Sequence, residues 1–366
     1  MAAAFTMRVA DWQTVLAEVD TFDSATIIAR YNDVSTWQLS LPSSSPAARV
    51  FLTAARPRLL IYAGQTVYRS GPVIRLERQL NADGDMLTVN GVDDLVWLRR
   101  RLAHPQPGTA APPYSTTAYD SRTGAASQVI AGYVDRNAGP SAVPARQVPN
   151  LTVATPAAFG GNVTTAARYQ NLLEFVQQIA TAAKVGIRVR DLAFEVFQPS
   201  GQAVFSVDLG TLGSWTSTVE APDSTYVYVA GGGEGTARVI REYAGSALTS
   251  WGRIEAFRDR RDTTTAADMD QSGAEELANG YHPPGVAMEA LDGQAQQFLR
   301  DWNVGDLATV YVGTAKLQDV IVEAQIDLTA NAPVKVSPVI GSPIIDLAQW
   351  RQVNAQDHRL RWLERI

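Results

Sequence analysis

Leu59-Leu60-Ile61-Tyr62-Ala63-Gly64, followed by Val73-Ile74 and then Val89-Asn90-Gly91, decides the reading of this chain because it has a counterpart. The last quarter reads Ala308-Thr309-Val310-Tyr311-Val312-Gly313, then Val320-Ile321, then Val339-Ile340-Gly341. Both stretches give an apolar strand with a Tyr-x-Gly turn, a strand opened by Val-Ile, and a closing strand that ends on Gly. The bland reading is two ordinary hairpins, since alternating apolar strands are common. The shared order of three features favours an internal repeat, and so a duplicated antiparallel β-barrel. A duplicated barrel without a catalytic constellation points to a building block of a symmetric assembly.

Working outward, the 366 residues exceed a typical single domain and predict two to four units. Hydrophobic residues make up 46% and charged residues 19%, enough for packed cores and too little charge for global disorder. Lys and Arg number 31 against 37 Asp and Glu, a net charge of -6. That balance argues against a tight grip on nucleic acid, which needs a basic face, but not against nucleic acid passing by. Cysteine is absent, which excludes disulfides and thiolate metal sites. No apolar run reaches the ~20 residues of a membrane-spanning helix. The Met1-Ala2-Ala3-Ala4-Phe5 start lacks the basic and apolar regions of a secretory signal, so folding in a cytoplasm is expected.

Period-two alternation predicts strands over 26–31 and 35–41 around the Tyr31-Asn32-Asp33 turn, with Pro42 and the 43–46 cluster ending the second. Strands follow over 58–64, 66–70, 73–80 and 86–90, the last two joined by an Asn81-Ala82-Asp83-Gly84 turn. A short helix is expected over 92–102, with Leu95, Leu98 and Leu102 on one face and Arg99-Arg100-Arg101 around the other. Residues 104–160 are rich in Pro, Gly, Ser and Ala and read as loops with one short helix near 126–133. Leu172, Phe175, Val176 and Ile179 recur at helical spacing, giving a helix over 169–183 that Lys184 and Gly186 end. Strands are expected over 187–189, 193–198, 203–209, 225–230, 237–243 and 253–258, with 286–292 and 307–312 leading into the second β unit, and helices over 266–277 and, interrupted near Val353-Asn354, over 347–366.

Gly231-Gly232-Gly233-Glu234-Gly235 resembles a phosphate loop only in composition. No Lys-Ser/Thr follows, and the next residues read as a strand, not as the helix whose amides would meet a phosphate. A glycine-rich turn between strands is the better reading. The carboxylates Asp93-Asp94, Asp259 with Asp262, and Asp268 with Asp270 lack the spacing and late Glu of a calcium loop and read as solvated or paired groups. Arg258-Asp259-Arg260-Arg261-Asp262 reads as an alternating salt-bridged surface or subunit contact. His104, His282 and His358 are isolated, without metal spacing, and are expected to be exposed structural residues. No Gly-x-Ser-x-Gly elbow occurs. The eight tryptophans read as core and interface anchors.

The segment Tyr226-Val227-Tyr228-Val229-Ala230-Gly231-Gly232-Gly233-Glu234-Gly235, with Arg238 and then Trp251-Gly252-Arg253-Ile254-Glu255-Ala256-Phe257-Arg258-Asp259, Arg261 and Asp262, resembles the siphophage tail-hub (baseplate hub or tail-tip) protein family. It is similar in layout to the baseplate hub of contractile phages. Tyr31-Asn32-Asp33, Trp37-x-Leu39-x-Leu41-Pro42, Ser70-Gly71-Pro72-Val73, Gly91-x-Asp93-Asp94, Asn171-Leu172-Leu173-Glu174 and Trp302-x-Val304-Gly305-Asp306 fit the same family in order and spacing.

The resemblance implies a virion structural protein at the tail tip, assembled in the host cytoplasm and involved in DNA ejection. It implies a homotrimeric ring that adapts a six-fold tail tube to a three-fold tip and lets DNA pass without capturing it. Its neighbours would be the distal tail protein, the tape-measure protein and tip or fibre proteins, with no sequence-specific nucleic-acid binding and no transmembrane segment. The implied fold is β-rich α+β, with two similar antiparallel β-barrels and smaller α/β inserts. The first barrel would span 1–103, a loop-rich α/β domain 104–208, and the second barrel 209–245 with 301–346. Residues 246–300 would be inserted in it, and 347–366 would form a C-terminal helix. No catalytic, cofactor-binding or metal-binding residue is expected. Some relatives carry a C-terminal lytic extension; the chain as read stops at Ile366, which puts that activity in doubt here. The alternatives are a tail-associated peptidoglycan- or glycan-cleaving enzyme using a carboxylate pair, or a carbohydrate-binding module with solvent-facing Trp or Tyr platforms.

Overall fold

The computed structural model describes residues 5–81, 84–112, 115–201, 203–218, 221–261, 263–281, 285–290, 296–312, 315–330 and 332–340. The chain divides into two compact units. The larger contains Met1–Ser214, Met288–Val310 and Gln318–Ile340; the smaller is built on Trp215–Ala287 and Tyr311–Leu317.

The larger unit opens with β1 (Phe5–Asp11) and β2 (Thr14–Glu18), a hairpin that sequence reasoning missed, in which Met7 and Val9 alternate into the core. Next come β3 (Ser24–Arg30) and β4 (Thr36–Pro42), whose inward residues Ile27, Trp37, Leu39 and Leu41 are buried. Residues 43–46 do more than end a strand. Ser45 caps a helix, α1 (Pro46–Thr53), by accepting from the Ala48 amide at 3.2 Å, and Pro46 occupies the first turn. Then β5 (Pro57–Ala63), β6 (Thr66–Asn81) and β7 (Gly84–Val92) run antiparallel in succession. The expected turn residues Ala82 and Asp83 lie outside the described residues, although Asn81 and Gly84 are paired.

The next helix is shorter than expected. α2 covers only Val96–Arg99, with Leu95 and Leu98 buried. Leu102 is exposed and sits in β8 (Leu102–Ala103), because the chain there pairs with β12 (Gln170–Asn171) and leaves the helical path. The Pro-rich stretch holds β9 (Asp120–Ala125), α3 (Ala126–Asn137) and β10 (Thr152–Val153), and β11 (Asn162–Ala167) pairs with β9. After β12 comes α4 (Leu172–Ala182), where Asn171 accepts from the Leu173 and Glu174 amides at 3.0 and 3.3 Å. Lys184, at φ +54°, ends it in the left-handed conformation. β13 (Gly186–Arg190) and β14 (Ala193–Phe197) follow, and Tyr133, Val134, Leu172, Val176 and Phe194 form a core beneath both helices.

β15 (Ala203–Ser206) is shorter than the predicted 203–209, and β16 (Leu212–Thr218) follows it. The smaller unit centres on β17 (Tyr226–Ala230), flanked by antiparallel β18 (Ile240–Ala244) and parallel β19 (Glu255–Asp259). α5 (Leu248–Trp251) connects these flanks, and α6 (Ala266–Asn279) covers one sheet face through Met269 and Leu277 against Val227 and Val229. The described chain ends with β20 (Gly285–Ala290), β21 (Leu307–Val312), β22 (Ala315–Thr329) and β23 (Lys335–Ile340).

The large sheet has the order β23-β22-β3-β4-β7-β6-β5-β1-β2, with β21 paired to β22 and to β15. β16 and β20, whose residues fall in both units, complete its thirteen strands. The two quoted stretches are thus β5-β6-β7 and β21-β22-β23. Each is a short strand, a strand of 16 or 15 residues, and a closing strand. In each, the long strand carries a register shift near its middle, at Val73/Arg75 and at Ile321/Glu323, beside the quoted Val-Ile pair. The two meanders share one sheet through the β4–β7, β3–β4 and β22–β3 pairs. Among the described residues no strand pair closes this path into a barrel. Gly313, Gly341 and the expected helix over 347–366 lie outside the described residues. Among the described residues no helix is long and apolar enough to cross a membrane.

Candidate functional site

In the smaller unit the glycine loop links two strands. Gly231 donates to the Val239 carbonyl at 2.8 Å and Gly232 to the Thr263 carbonyl at 2.7 Å. A Cβ on Gly231 would stand 2.9 Å from the Thr263 oxygen and 3.0 Å from the Met269 sulfur, so the loop lies flat against its neighbours. Gly233 and Gly235 take φ of +109° and +54°, while Glu234 is exposed and supplies the carbonyl that starts a single 3₁₀ turn. A strand follows, so no helix N-terminus faces the loop.

Arg238 closes the loop. Its guanidinium donates to the Gly231 carbonyl at 2.9 Å, to the Ala230 carbonyl at 3.0 Å and to Asp259. Arg261 pairs with the same carboxylate at 3.1 Å, and Arg258 reaches Glu276 at 3.3 Å. The charge run is therefore an ion-paired surface, with Asp262 outside the described residues. At the other end of β19, Gly252 (φ +75°) offers its carbonyl to the Thr225 hydroxyl at 2.6 Å, and Trp251 is partly exposed. Arg253 donates to Glu255 at 2.5 Å and to the Tyr228 hydroxyl, and lies 3.6 Å over the Tyr226 ring. That stacking covers one face of the Tyr226 ring.

In the larger unit the motifs at Trp37, Ser70 and Gly91 converge on a buried polar junction. Ser70-Gly71 meets Gly91-Val92-Asp93-Asp94. A Cβ on Gly71 would fall 2.0 Å from the Val92 oxygen, and one on Gly91 would fall 1.9 Å from the Trp37 ring. The Trp37 indole donates to the Val92 carbonyl at 3.1 Å. Asp94 is fully buried and pairs with equally buried Arg58 at 2.5 Å. It also accepts from the Ser70 hydroxyl at 2.5 Å and from the Trp97 indole at 3.2 Å. Burial pushes the Asp94 carboxyl up against the pull of Arg58, Ser70 and Trp97. Burial also pushes Asp93 up to about 6, opposed by Arg69 and by hydrogen bonds to Ser35.

The Tyr31-Asn32-Asp33 turn ties the large sheet to α4 and β13. The Asn32 side chain donates to the Val185 carbonyl at 3.0 Å and accepts from the Ile187 amide at 2.7 Å, while Asp33 pairs with Arg99 at 2.7 Å. Trp302 of the last motif packs in a buried aromatic cluster with Phe205 and Phe298.

Asp94 is ion-paired, which is one of the two expected states, while both Asp93 and Asp94 are buried and neither is a solvated surface group. The expectation for the histidines needs correction. His104 is half-buried, edge-on to Tyr169 at 5.3 Å, and burial lowers its pKa; His282 and His358 lie outside the described residues. The Arg58–Asp94 pair was missed, although a lone Arg opening the apolar run Leu59-Leu60-Ile61 signals a buried partner. Among the described residues no cluster of His, Asp and Glu could hold a metal ion. What these arrangements do chemically is fix strands and turns against one another.

The Siphovirus ReqiPepy6 Gp37-like protein family matches residues 8–342. No curated protein matches the sequence. The fold is similar to that of the 43 kDa tail protein of prophage MuSo2 from Shewanella oneidensis, at 9% identity and TM-score 0.55, over 93% of this chain and 98% of that one. It is similar to the tail protein from Neisseria meningitidis MC58, at 10% identity and TM-score 0.57, over 93% and 97%. It is also similar to prophage tail protein gp18 from Listeria monocytogenes EGD-e, at 10% identity and TM-score 0.50, over 96% and 98%.

Proposed function

This chain belongs to the Siphovirus ReqiPepy6 Gp37-like protein family, and we propose from that premise that it is a structural hub of a phage tail tip. Three copies form a ring around the tail axis, and each contributes two related β units. The observation that carries this reading is the repeated meander, β5-β6-β7 and β21-β22-β23, with long middle strands of 16 and 15 residues and matched mid-strand register shifts. Two β units per chain and three chains give six, the number a six-fold tube requires, while the chain itself keeps three-fold symmetry. Each unit would supply one barrel wall, closed by further strands or by a neighbouring copy, which would also cover exposed sheet edges. The net charge of -6 suits a channel that passes DNA without holding it. The distal tail protein, the tape-measure protein and tip or fibre proteins are its proposed neighbours.

Sedimentation of the purified protein across a dilution series tests the reading. The expected mass is three times the 39.5 kDa of the chain. A dimer or tetramer as the stable species would contradict it.

A further inference from the structure

We propose that a cavity beside the Arg58–Asp94 pair binds the C-terminal carboxylate of a protein partner, together with the last apolar side chain. The cavity measures about 240 Å³ and is lined by Trp12, Trp97, Arg56, Arg58 and Arg100, with Pro57 and Pro72 among the remaining walls. Trp12 and Trp97 stack at 5.4 Å with 28° between their planes. Arg58 lies over the Trp12 ring at 5.9 Å and Arg100 over the Trp97 ring at 5.0 Å, which gives a ladder of cation, ring, ring and cation.

Three observations say that this is a built site. Trp12 holds φ +52°, a costly backbone for a bulky residue, and its carbonyl is fixed by the Arg58 guanidinium. Arg58 is 2% exposed, yet its Nε is buried without a hydrogen-bond acceptor among the described residues. Arg56 and Arg100 are exposed and have no ion-pair partner among the described residues. In a chain of net charge -6, a cavity lined by the unpaired Arg56 and Arg100, beside the Asp94-paired Arg58 and with no carboxylate in the lining, is a local positive site.

The lining selects the ligand. Arginine forks match a carboxylate, and the stacked indoles and prolines match an apolar side chain. No side chain of the lining can accept a hydrogen bond, so sugar hydroxyls would go unpaired there. The volume lies below the ~300–1,000 Å³ of pockets that hold drug-sized ligands. A chain terminus supplies one carboxylate and one side chain within that space.

The test uses N-acetyl-L-tryptophan and its amide as probes of the full chain, by saturation-transfer NMR and calorimetry. The expected result is that the acid binds at least ~10-fold more tightly than the amide. Changing Arg56→Gln with Arg100→Gln should remove that difference while lowering the melting temperature by no more than a few degrees, since both side chains are exposed and only the Arg100 stack on Trp97 is lost. Equal binding of acid and amide, no binding of either at millimolar concentration, or an unaffected double variant would overturn the proposal. So would displacement of the acid by N-acetylneuraminic acid or inorganic phosphate at equal concentration.

Discussion

Inside the larger unit Arg58, Ser70 and Trp97 surround the Asp94 carboxylate and oppose the upward push of burial on its pKa. Removing one partner of such a pair leaves the other charge buried and uncompensated. Asp94→Ala is therefore expected to cost about 3–5 kcal/mol in urea unfolding. Replacing both members together, as Arg58→Met with Asp94→Leu, should cost less than the sum of the single changes. Asp93, its neighbour, behaves differently. Burial raises its pKa from 3.8 to about 6, so the folded state binds its proton more tightly than the unfolded state. The stability linked to that proton is present below about pH 4 and is lost as pH rises through 6. Asp93→Asn cannot ionise, so its stability relative to the native chain should rise by roughly 1–3 kcal/mol between pH 4 and pH 8. A difference that stays flat over that range would contradict the assignment.

At the scale of elements, the glycines mark where strands approach too closely for a side chain. Gly91 faces the Trp37 ring, where a Cβ would stand 1.9 Å away, so Gly91→Ala forces the indole from its bond to Val92. The expected loss is at the upper end of the ~1–3 kcal/mol of overpacked cores, measured by thermal unfolding. A neutral outcome would mean that β4 and β7 give way freely. This layer was largely legible in the sequence. The alternation of Ile27 and of Trp37, Leu39 and Leu41 named β3 and β4, and the helical spacing of Leu172, Phe175, Val176 and Ile179 named α4. What was lost had physical reasons. Ser45-Pro46 serves equally to end a strand and to cap a helix, and the burial of Ala47, Ala48 and Phe51 decides between them. β1 hid behind an Ala-rich start, and Leu102 kept helical spacing although its backbone pairs with β12. The glycine loop could be read as a strand connection from the missing Lys and helix. The apolar run after Arg58 signals that it has a buried partner, but which residue that is, Asp94 at 36 positions away, no local pattern encodes.

Across the whole molecule the organising feature is internal symmetry. Two meanders of like length and like register shift lie in one sheet, joined through β3 and β4. In a lone chain that sheet leaves β2 at one edge, with Val15 and Leu16 exposed, and the outer half of β6 carries exposed Ile74, Leu76 and Leu80. Such apolar strands are liabilities in a monomer and contact surfaces in an assembly. An obligate ring is expected to bury more than ~2,000 Å² at each contact, apolar at its centre. Electron cryomicroscopy of the intact tail is the most direct measurement. Three copies of this chain are expected around the axis, with β5-β6-β7 and β21-β22-β23 alternating as six similar β units about a neutral or acidic channel. A copy number other than three, a position off the axis, or a strongly basic channel lining would contradict it.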